Sequence, residues 1–331
     1  MTDCSNRIYT RVLTTGSTLA ERAVSNDQLA AELAERGVQT NDEWIRTRTG
    51  IECRHIASEA ETTLSLALKA THDALERGAI DPQTIDLIIV ATTTPDGVFP
   101  SMACRLQHAL GIKGCAAFDV QAVCAGFVYA MSVADGLIRT GGYKRALVVG
   151  AEVLSRLLDW NDRSTCVLFG DGAGAVVIEA SEREGILAHR MHADGSFGVD
   201  TLSCDARIEQ GCVAGSPFIR MNGRQVFKLA VSSLSESFVE VCSMAGIESD
   251  KVDVWVPHQA NIRIIEMIAE KLGIPKEKTV ETVQMHGNTS AASVPLALDW
   301  AVKHGRIREG DTVMLQGVGA GMTWGSVLLK W

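Results

Sequence analysis

The sequence predicts an α/β protein built from two similar halves with buried mixed sheets, and three observations predict it. Runs such as IDLIIVAT (85–92), RALVVGA (145–151) and KVDVWVP (251–257) are apolar and β-branched almost without a break. Parallel strands buried on both faces have that composition. The runs alternate with stretches of helical period. Their order also repeats: Asp86 and Asp253 stand 167 residues apart, and Leu147 and Val313 stand 166 apart, each pair inside matching runs. A third echo sets GDGAGAVVIEA (170–180) against GVGAGMTWGSVLL (317–329) at an offset of 147, so the second half is shorter there by about twenty residues. The repeat divides the chain into halves at 1–183 and 184–331.

The elements follow in order. Arg7 to Gly16 reads as a first strand entering a glycine turn. Asn26 to Arg36 is helical, with Leu29, Ala30 and Leu33 on one side. Thr40 to Ile51 is expected to be a polar loop carrying Trp44, Arg46 and Arg48. Thr63 to Gly78 is an amphipathic helix through Leu64, Leu66, Ala67, Ala70 and Leu75. After the strand at 85–92, a loop carrying Phe99 leads to a helix over Ser101–Leu110. Ala116 to Val120 is a short strand that breaks at Gln121-Ala122-Val123; beyond Cys124 the text turns helical, from Ala125 to Thr140. In the second half the helix Leu229–Gly246 precedes the strand at 251–257, as Thr63–Gly78 precedes 85–92.

Composition bounds the function. The 331 residues are 46% hydrophobic and 21% charged, an ordinary globular balance with no disorder signature. No run of about 18 apolar residues exists to span a membrane, and the polar MTDCSNRIYTRVL carries no export signal. A formal charge of −9 argues against nucleic acid as a partner. Nine cysteines with no CxxC pair and no zinc spacing point to free thiols in a reducing cytoplasm.

Three residues stand out chemically. Cys124 lies at a strand-to-helix turn, where unpaired backbone N–H groups and the positive end of the helix dipole favour a thiolate. His258, in VPHQANIR, sits at the carboxyl end of a strand, where α/β proteins form ligand crevices. Asn288 lies in a glycine turn before a helix. Taken singly, each also fits a plain structural role: a packing thiol, a loop-end histidine, a helix cap. The duplication, however, brings the Cys124 loop against the loops of His258 and Asn288. A thiol nucleophile beside two neutral donors suits thioester chemistry, with an acyl-enzyme and a stabilised enolate. Two other motifs lead nowhere. The glycines of 170–174 precede a strand and no helix, so they cannot cradle a phosphate. The pairs Cys204/Cys212 and His189/His192 have no further ligands to make a metal site.

With these residues in place, the chain resembles the β-ketoacyl-[acyl-carrier-protein] synthase III family of the thiolase superfamily from end to end. The resemblance rests on DEWIRTRTGI (42–51), DVQAVCAGFVYA (119–130), FGDGAGA (169–175), VPHQANIRII (256–265), HGNTSAASVPLAL (286–298) and GAGMTWGS (319–326). It implies a layered αβαβα sandwich, a homodimer, and an initiating condensation of an acyl-CoA primer, acetyl-CoA foremost, with malonyl-[acyl-carrier protein], without a cofactor. Carried over, Cys124 becomes the acylated nucleophile, His258 and Asn288 bind the malonyl thioester, and the N–H groups of Cys124 and Ala320 form the oxyanion hole. Trp44 and Arg163 would sandwich the adenine of coenzyme A, with Arg48 on its phosphates. Gly223, Phe227, Ala260 and Asn261 would line the pantetheine tunnel, and Lys228, Arg263 and Lys271 would dock the acidic carrier protein. Leu154, Phe169, Thr201 and a partner subunit's copy of Phe99 would shape the primer pocket. The chain departs from the family's pattern at Gly198-Val199-Asp200-Thr201 and at Met322, which bears on the primer and leaves a branched or aryl acyl group as the alternative. A degradative thiolase would need a second cysteine near the last glycine turn, and 317–325 has none. An inactive carrier-binding scaffold would have lost the nucleophile, and Cys124 is present.

Overall fold

The computed structural model describes residues 8–331; the expected start of the first strand at Arg7 lies outside them. Two large mixed sheets carry the chain. The first runs in the order Tyr9–Leu19, Asp171–Ser181, Arg145–Val153, Leu87–Ala91, Ala116–Val120, with Leu87–Ala91 parallel to both neighbours and the other pairs antiparallel. The second runs Val254–Pro257, Thr312–Gly319, Thr323–Lys330, Ile186–Ala193, with only its first pair parallel. In direction and order it repeats the first sheet from Leu87–Ala91 to Tyr9–Leu19. Where a fifth strand would pair, a lone parallel bridge joins Trp255 to Thr279.

Side chains on each central strand sort by face with a period of two. Leu87, Ile89 and Ala91 join a core with Phe127, Val128, Met131 and Ala134 of the helix Gly126–Arg139, whereas Ile88 and Val90 join Leu66, Ala70 and Ala74 of the helix Thr63–Arg77. The second sheet does the same. Val254 and Val256 face the shared core, and Trp255 packs on Leu234, Phe238 and Ile265 of the helices Gly223–Ala245 and Ile262–Leu272. Burial on both faces is why these runs read as unbroken apolar text. The result is five layers: helices, sheet, two central helices, sheet, helices. The central pair is Gly126–Arg139 and Ser293–Lys303, and the second contributes Val294, Ala297, Leu298 and Ala301 to the shared core.

The glycines of 170–174 lie inside the strand Asp171–Ser181 and serve packing. A Cβ on Gly174 would come within 2.7 Å of Pro295, so bare backbone is what lets the central helix lie on the sheet. Asp299, fully buried in that helix, is held by Arg77 at 2.6 Å, Lys303 at 2.9 Å and the Thr15 hydroxyl at 2.7 Å. These bonds pin the central helix to the outer helix and to the first strand.

Duplication is sharpest at the entry to the central helices. Val123 and Ser290, 167 residues apart, both adopt left-handed backbone (φ 48° and 50°) and open the single 3-10 turns Val123–Ala125 and Ser290–Ala292. We propose 1–183 and 184–331 as the two halves; what supports the boundary is that the last strand of the first sheet ends at Ser181 and the second sheet begins at Ile186.

Two local expectations are corrected. The segment expected to be a polar loop is the helix Asp42–Thr49. Asn41 caps it, its side-chain oxygen accepting the Trp44 N–H at 2.8 Å. Acidic Asp42 and Glu43 in the first turn and basic Arg46 and Arg48 in the last both suit the dipole. The helix expected from Leu229 begins at Gly223, where Asn222 supplies the cap.

Candidate active site

Cys124 occupies the 3-10 turn at the mouth of the helix Gly126–Arg139 and is 4% exposed. That helix starts without a side-chain cap, so its first N–H groups remain for whatever lies beside the turn. The glycine strand Thr312–Gly319 lies directly on it: a Cβ on Gly317 would stand 2.9 Å from Ala125 Cα and 3.1 Å from the Cys124 oxygen. Thr323 donates to the Ala122 carbonyl at 2.9 Å and ties the hairpin to the nucleophile turn.

Burial governs the electrostatics. Desolvation pushes the Cys124 thiol up to about 12, the Ser290 hydroxyl pulls it down, and the Glu152 charge adds to the rise. The sequence alone suggested a favoured thiolate, and this corrects it. A helix N-terminus offers at most about 2 kcal/mol, roughly half of what burial removes at about 1.4 kcal/mol per pH unit. The resting group is a thiol. Burial likewise pushes His258 down to about 3, so its imidazole is neutral.

His258 is fixed from both sides. Its backbone N–H donates to the Gln316 carbonyl at 2.8 Å, and its Nδ1 lies 2.5 Å from Ser293 Oγ. Gln259 beside it is buried and fully engaged. Its Nε2 donates to the Pro257 and Val280 carbonyls (2.8 and 3.0 Å), and its Oε1 accepts the N–H groups of Thr282 and Val283 (2.8 and 3.0 Å). Gln259 thereby locks the histidine loop to the segment that leads to Asn288. Asn288 in turn is bound through its backbone to Leu168 and Gly170, at 2.9 and 3.0 Å. Its Oδ1 accepts the Ser290 N–H at 2.9 Å, so the amide hydrogens are what it offers to the cavity.

Cys124, His258 and Asn288 line one cavity of about 110 Å³, together with Gly223, Phe227, Ala260, Asn261 and Met322. Cys124 also borders a second chamber of about 320 Å³, walled by Leu154, Leu157, Phe169, Leu202, Ile219 and Ala320. The thiol sits where the two meet. Thr201 is not part of that wall. Its hydroxyl donates to the Phe197 carbonyl at 3.0 Å, and the adjacent Leu202 lines the chamber instead. Phe99 is 84% exposed and borders neither cavity.

At the outer end, Arg48 and Arg163 stack over the Trp44 ring with Cζ at 4.7 and 4.3 Å from its centroid, and Arg163 also donates to the Gln39 carbonyl at 2.8 Å. A flat base between Trp44 and Arg163 needs about 7 Å, two ordinary stacking contacts, so this pair must open to admit one. Asn261 caps the helix Ile262–Leu272 and donates to the Arg48 carbonyl at 3.0 Å, joining this corner to the cavity. Arg263 lies over Phe227 at 6.0 Å and Lys228 is exposed beside it. Lys271 lies eight residues further along the helix, about 12 Å from Arg263.

Sequence reasoning missed Glu152, Gln259, Ser290 and Ser293. Glu152 is fully buried and accepts from Thr93 N–H (3.1 Å) and from the hydroxyls of Thr93 (2.9 Å) and Thr94 (2.7 Å), while desolvation raises its pKa. A glutamate ending an apolar strand, opposite a run of three threonines, was the available signal. His189 and His192 have their own partners: His192 meets Glu240 at 2.6 Å and His189 meets Asp135 at 3.2 Å. Among the described residues every cysteine is free and no group of three or more metal-ligating side chains gathers.

Comparison with known proteins gives a consistent result. The model of the 3-oxoacyl-[acyl-carrier-protein (ACP)] synthase III C-terminal region matches residues 242–331, and that of 3-oxoacyl-[acyl-carrier-protein (ACP)] synthase III matches residues 118–195. Among solved structures, 3-oxoacyl-[acyl-carrier-protein] synthase III from Aquifex aeolicus is 48% identical, covering 97% of this chain and 100% of its own, with a TM-score of 0.90. The enzyme of that name from Pseudomonas aeruginosa is 40% identical, covering 98% of each chain, with a TM-score of 0.90. The priming β-ketosynthase of a polyketide biosynthetic pathway is 36% identical, covering 99% of this chain and 98% of its own, with a TM-score of 0.92.

Proposed function

Because the chain belongs to the 3-oxoacyl-[acyl-carrier-protein] synthase III family, we propose how its residues divide the work of an initiating condensing enzyme. It is an acyltransferase of fatty acid synthesis, and the family's chemistry runs on its substrates without a cofactor. Cys124 Sγ attacks the carbonyl of an acyl-CoA, acetyl-CoA foremost, and gives up its proton to water as the new C–S bond forms. The oxyanion rests on the N–H groups of Cys124 and Ala320. Collapse expels coenzyme A, which leaves with a proton, and an acyl-cysteine remains. Malonyl-[acyl-carrier protein] then enters by the same cavity and loses carbon dioxide. An imidazole N–H of His258 and the amide of Asn288 hold the enolate oxygen. The carbanion attacks the acyl-cysteine, and collapse frees the 3-oxoacyl product and the Cys124 thiolate, which takes a proton from water.

One observation carries this reading: nucleophile and both donors line a single cavity. Mass spectrometry of the intact protein after acetyl-CoA should show one acetyl adduct, absent in Cys124→Ala. An adduct persisting in that variant overturns the assignment. His258→Ala should still acylate yet release no carbon dioxide from malonyl-[acyl-carrier protein].

Trp44, Arg48 and Arg163 form the coenzyme A mouth in this proposal, Gly223, Phe227, Ala260 and Asn261 the pantetheine tunnel, and Arg263 with Lys228 the carrier-protein rim. Lys271 is peripheral. A net-acidic enzyme can dock an acidic partner because docking depends on the local field. A homodimer belongs to the same reading. Its support is the edge strand Ala116–Val120, half-buried throughout, and the exposed Val98 and Phe99 nearby. A cytoplasmic site is proposed on the free thiols; among the described residues no helix is long and apolar enough to cross a membrane. The apolar chamber of about 320 Å³ favours a second reading, a branched or aryl primer, since it exceeds the needs of a two-carbon group. A panel of acyl-CoA primers separates the two.

A further inference from the structure

We propose that the Ser293 hydroxyl is a positioning residue that fixes the tautomer of His258, so that Nε2 carries the proton and faces the incoming thioester. The inference rests on the reading that His258 donates to the enolate oxygen.

A neutral imidazole has one N–H and one bare nitrogen, and the partner of one decides the role of the other. His258 Nδ1 has Ser293 Oγ at 2.5 Å, and both groups are buried. Among the described residues Nε2 has no hydrogen-bond partner, and His258 lines the cavity shared with Cys124. Ser293 decides the matter through its other bond. Its Oγ already receives the Gln259 N–H at 3.4 Å, and among the described residues its own proton has one acceptor in reach, Nδ1. If Nδ1 held the proton instead, Oγ would receive two donors and its O–H would be buried with no acceptor, an arrangement folded proteins avoid.

Ser293 is well placed to hold this geometry. It is the first residue of the central helix Ser293–Lys303, 1% exposed. Its counterpart 167 residues earlier is Gly126, which has no side chain, so the hydroxyl is peculiar to the half that carries the donors. Asn288 is oriented by the same device: its acceptor atom is engaged by Ser290 N–H and its donors are left for the cavity. Both donors are thus set before substrate arrives, which is how preorganised sites stabilise developing charge.

The test uses the full-length enzyme labelled with nitrogen-15 at histidine, with the His258 signals identified by their loss in His258→Gln. Wild type should show a pyrrole-type Nε2 and a pyridine-type Nδ1; the reverse assignment overturns the proposal. In Ser293→Ala the two signals should move toward a tautomer mixture. Acylation of Cys124 by acyl-CoA should be kept, while release of carbon dioxide from malonyl-[acyl-carrier protein] falls about 10- to 100-fold, the loss usual for a group that orients its neighbour. Unchanged decarboxylation in Ser293→Ala refutes the role. Should Ser293→Ala fail to fold, the wild-type spectrum alone decides. Normal decarboxylation by His258→Ala would instead overturn the functional reading, and the tautomer would still be read from wild type.

Discussion

A methyl group on Gly319 would stand 2.7 Å from the amide nitrogen of Cys124 and 2.6 Å from the Ala122 carbonyl oxygen. The glycine strand meets the nucleophile turn backbone to backbone, and only hydrogen fits between them. Gly319→Ala must therefore push the turn away and displace the N–H groups proposed to hold the oxyanion. Losing one such donor costs about 10²–10³ in rate, so the acyl-transfer burst should fall at least about 100-fold. Gly136→Ala is the control. It is exposed within the helix Gly126–Arg139 and no atom lies within 4 Å of an added Cβ. That variant should keep the burst and gain about 0.5–1 kcal/mol of stability. Equal loss of rate in both would sink the argument.

Burial also sets the pH response of the nucleophile. With the Cys124 thiol at about 12, the thiolate fraction grows about tenfold per pH unit across the working range. Alkylation of Cys124 by iodoacetamide, followed by peptide mass spectrometry, should climb from about pH 6 to about pH 9 with a logarithmic slope of about one and no plateau. His258, at about 3, stays neutral throughout and contributes no second limb. A plateau near neutrality would mean a standing thiolate–imidazolium pair, contrary to this electrostatic picture.

How much of this was legible in the sequence depends on how each feature is encoded. Strands buried on both faces announce themselves, and the 166-residue offset set Cys124 opposite Ser290 in the Asn288 loop. The matching left-handed residues are Val123 and Ser290, 167 apart, a shift of one residue. The helix Asp42–Thr49 was legible but misread; Asn41 and the charge order were visible, yet a polar surface without an apolar stripe suggested a loop. Glu152 left a signal that went unread, an acid at the end of an apolar strand, whereas Gln259 and Ser293 were not legible. Their importance comes from partners far along the chain, such as Val280 for Gln259 and His258 for Ser293, and no local pattern marks such pairs. The thiol's charge state was misjudged for the same reason, since desolvation belongs to the packed core.

The closed stack at the mouth makes a separable prediction. Arg163 sits 4.3 Å from the Trp44 centroid, so coenzyme A must displace it to insert its base. Trp44→Ala removes both the stack and the base's platform. The KM for acyl-CoA should rise by about tenfold, the worth of one aromatic stacking contact, while the KM for malonyl-[acyl-carrier protein] stays put because that substrate has no adenine. Steady-state kinetics with each substrate varied in turn checks this. A parallel rise in both constants would place Trp44 in general packing.

Acid stability tests the buried histidines together. Burial pushes His258 down to about 3 and His286 down to about 4, the latter with help from the nearby His55. In the unfolded chain both titrate near 6.5. As pH falls below that value, the unfolded state takes up two protons that the native state refuses. Stability follows the difference in bound protons, unfolded minus native, so it rises with pH and drains away on acidification. Each histidine contributes about 1.4 kcal/mol per pH unit, or about 2.7 for the pair, until His286 charges near 4 and its share stops growing. The carboxylates held below their usual range, Asp73, Asp135 and Asp299, add their losses only at lower pH. Buried Glu152 and Asp171, whose carboxyls are pushed up, oppose this slope equally in both proteins. Urea unfolding of wild type and His286→Leu at several pH values between about 6 and 4.5 should therefore show the slope lowered by about 1.4 kcal/mol per pH unit, whatever the variant's absolute stability. His286 is the informative choice because it lies outside the nucleophile cavity. An unchanged slope would show that other groups drive the acid transition.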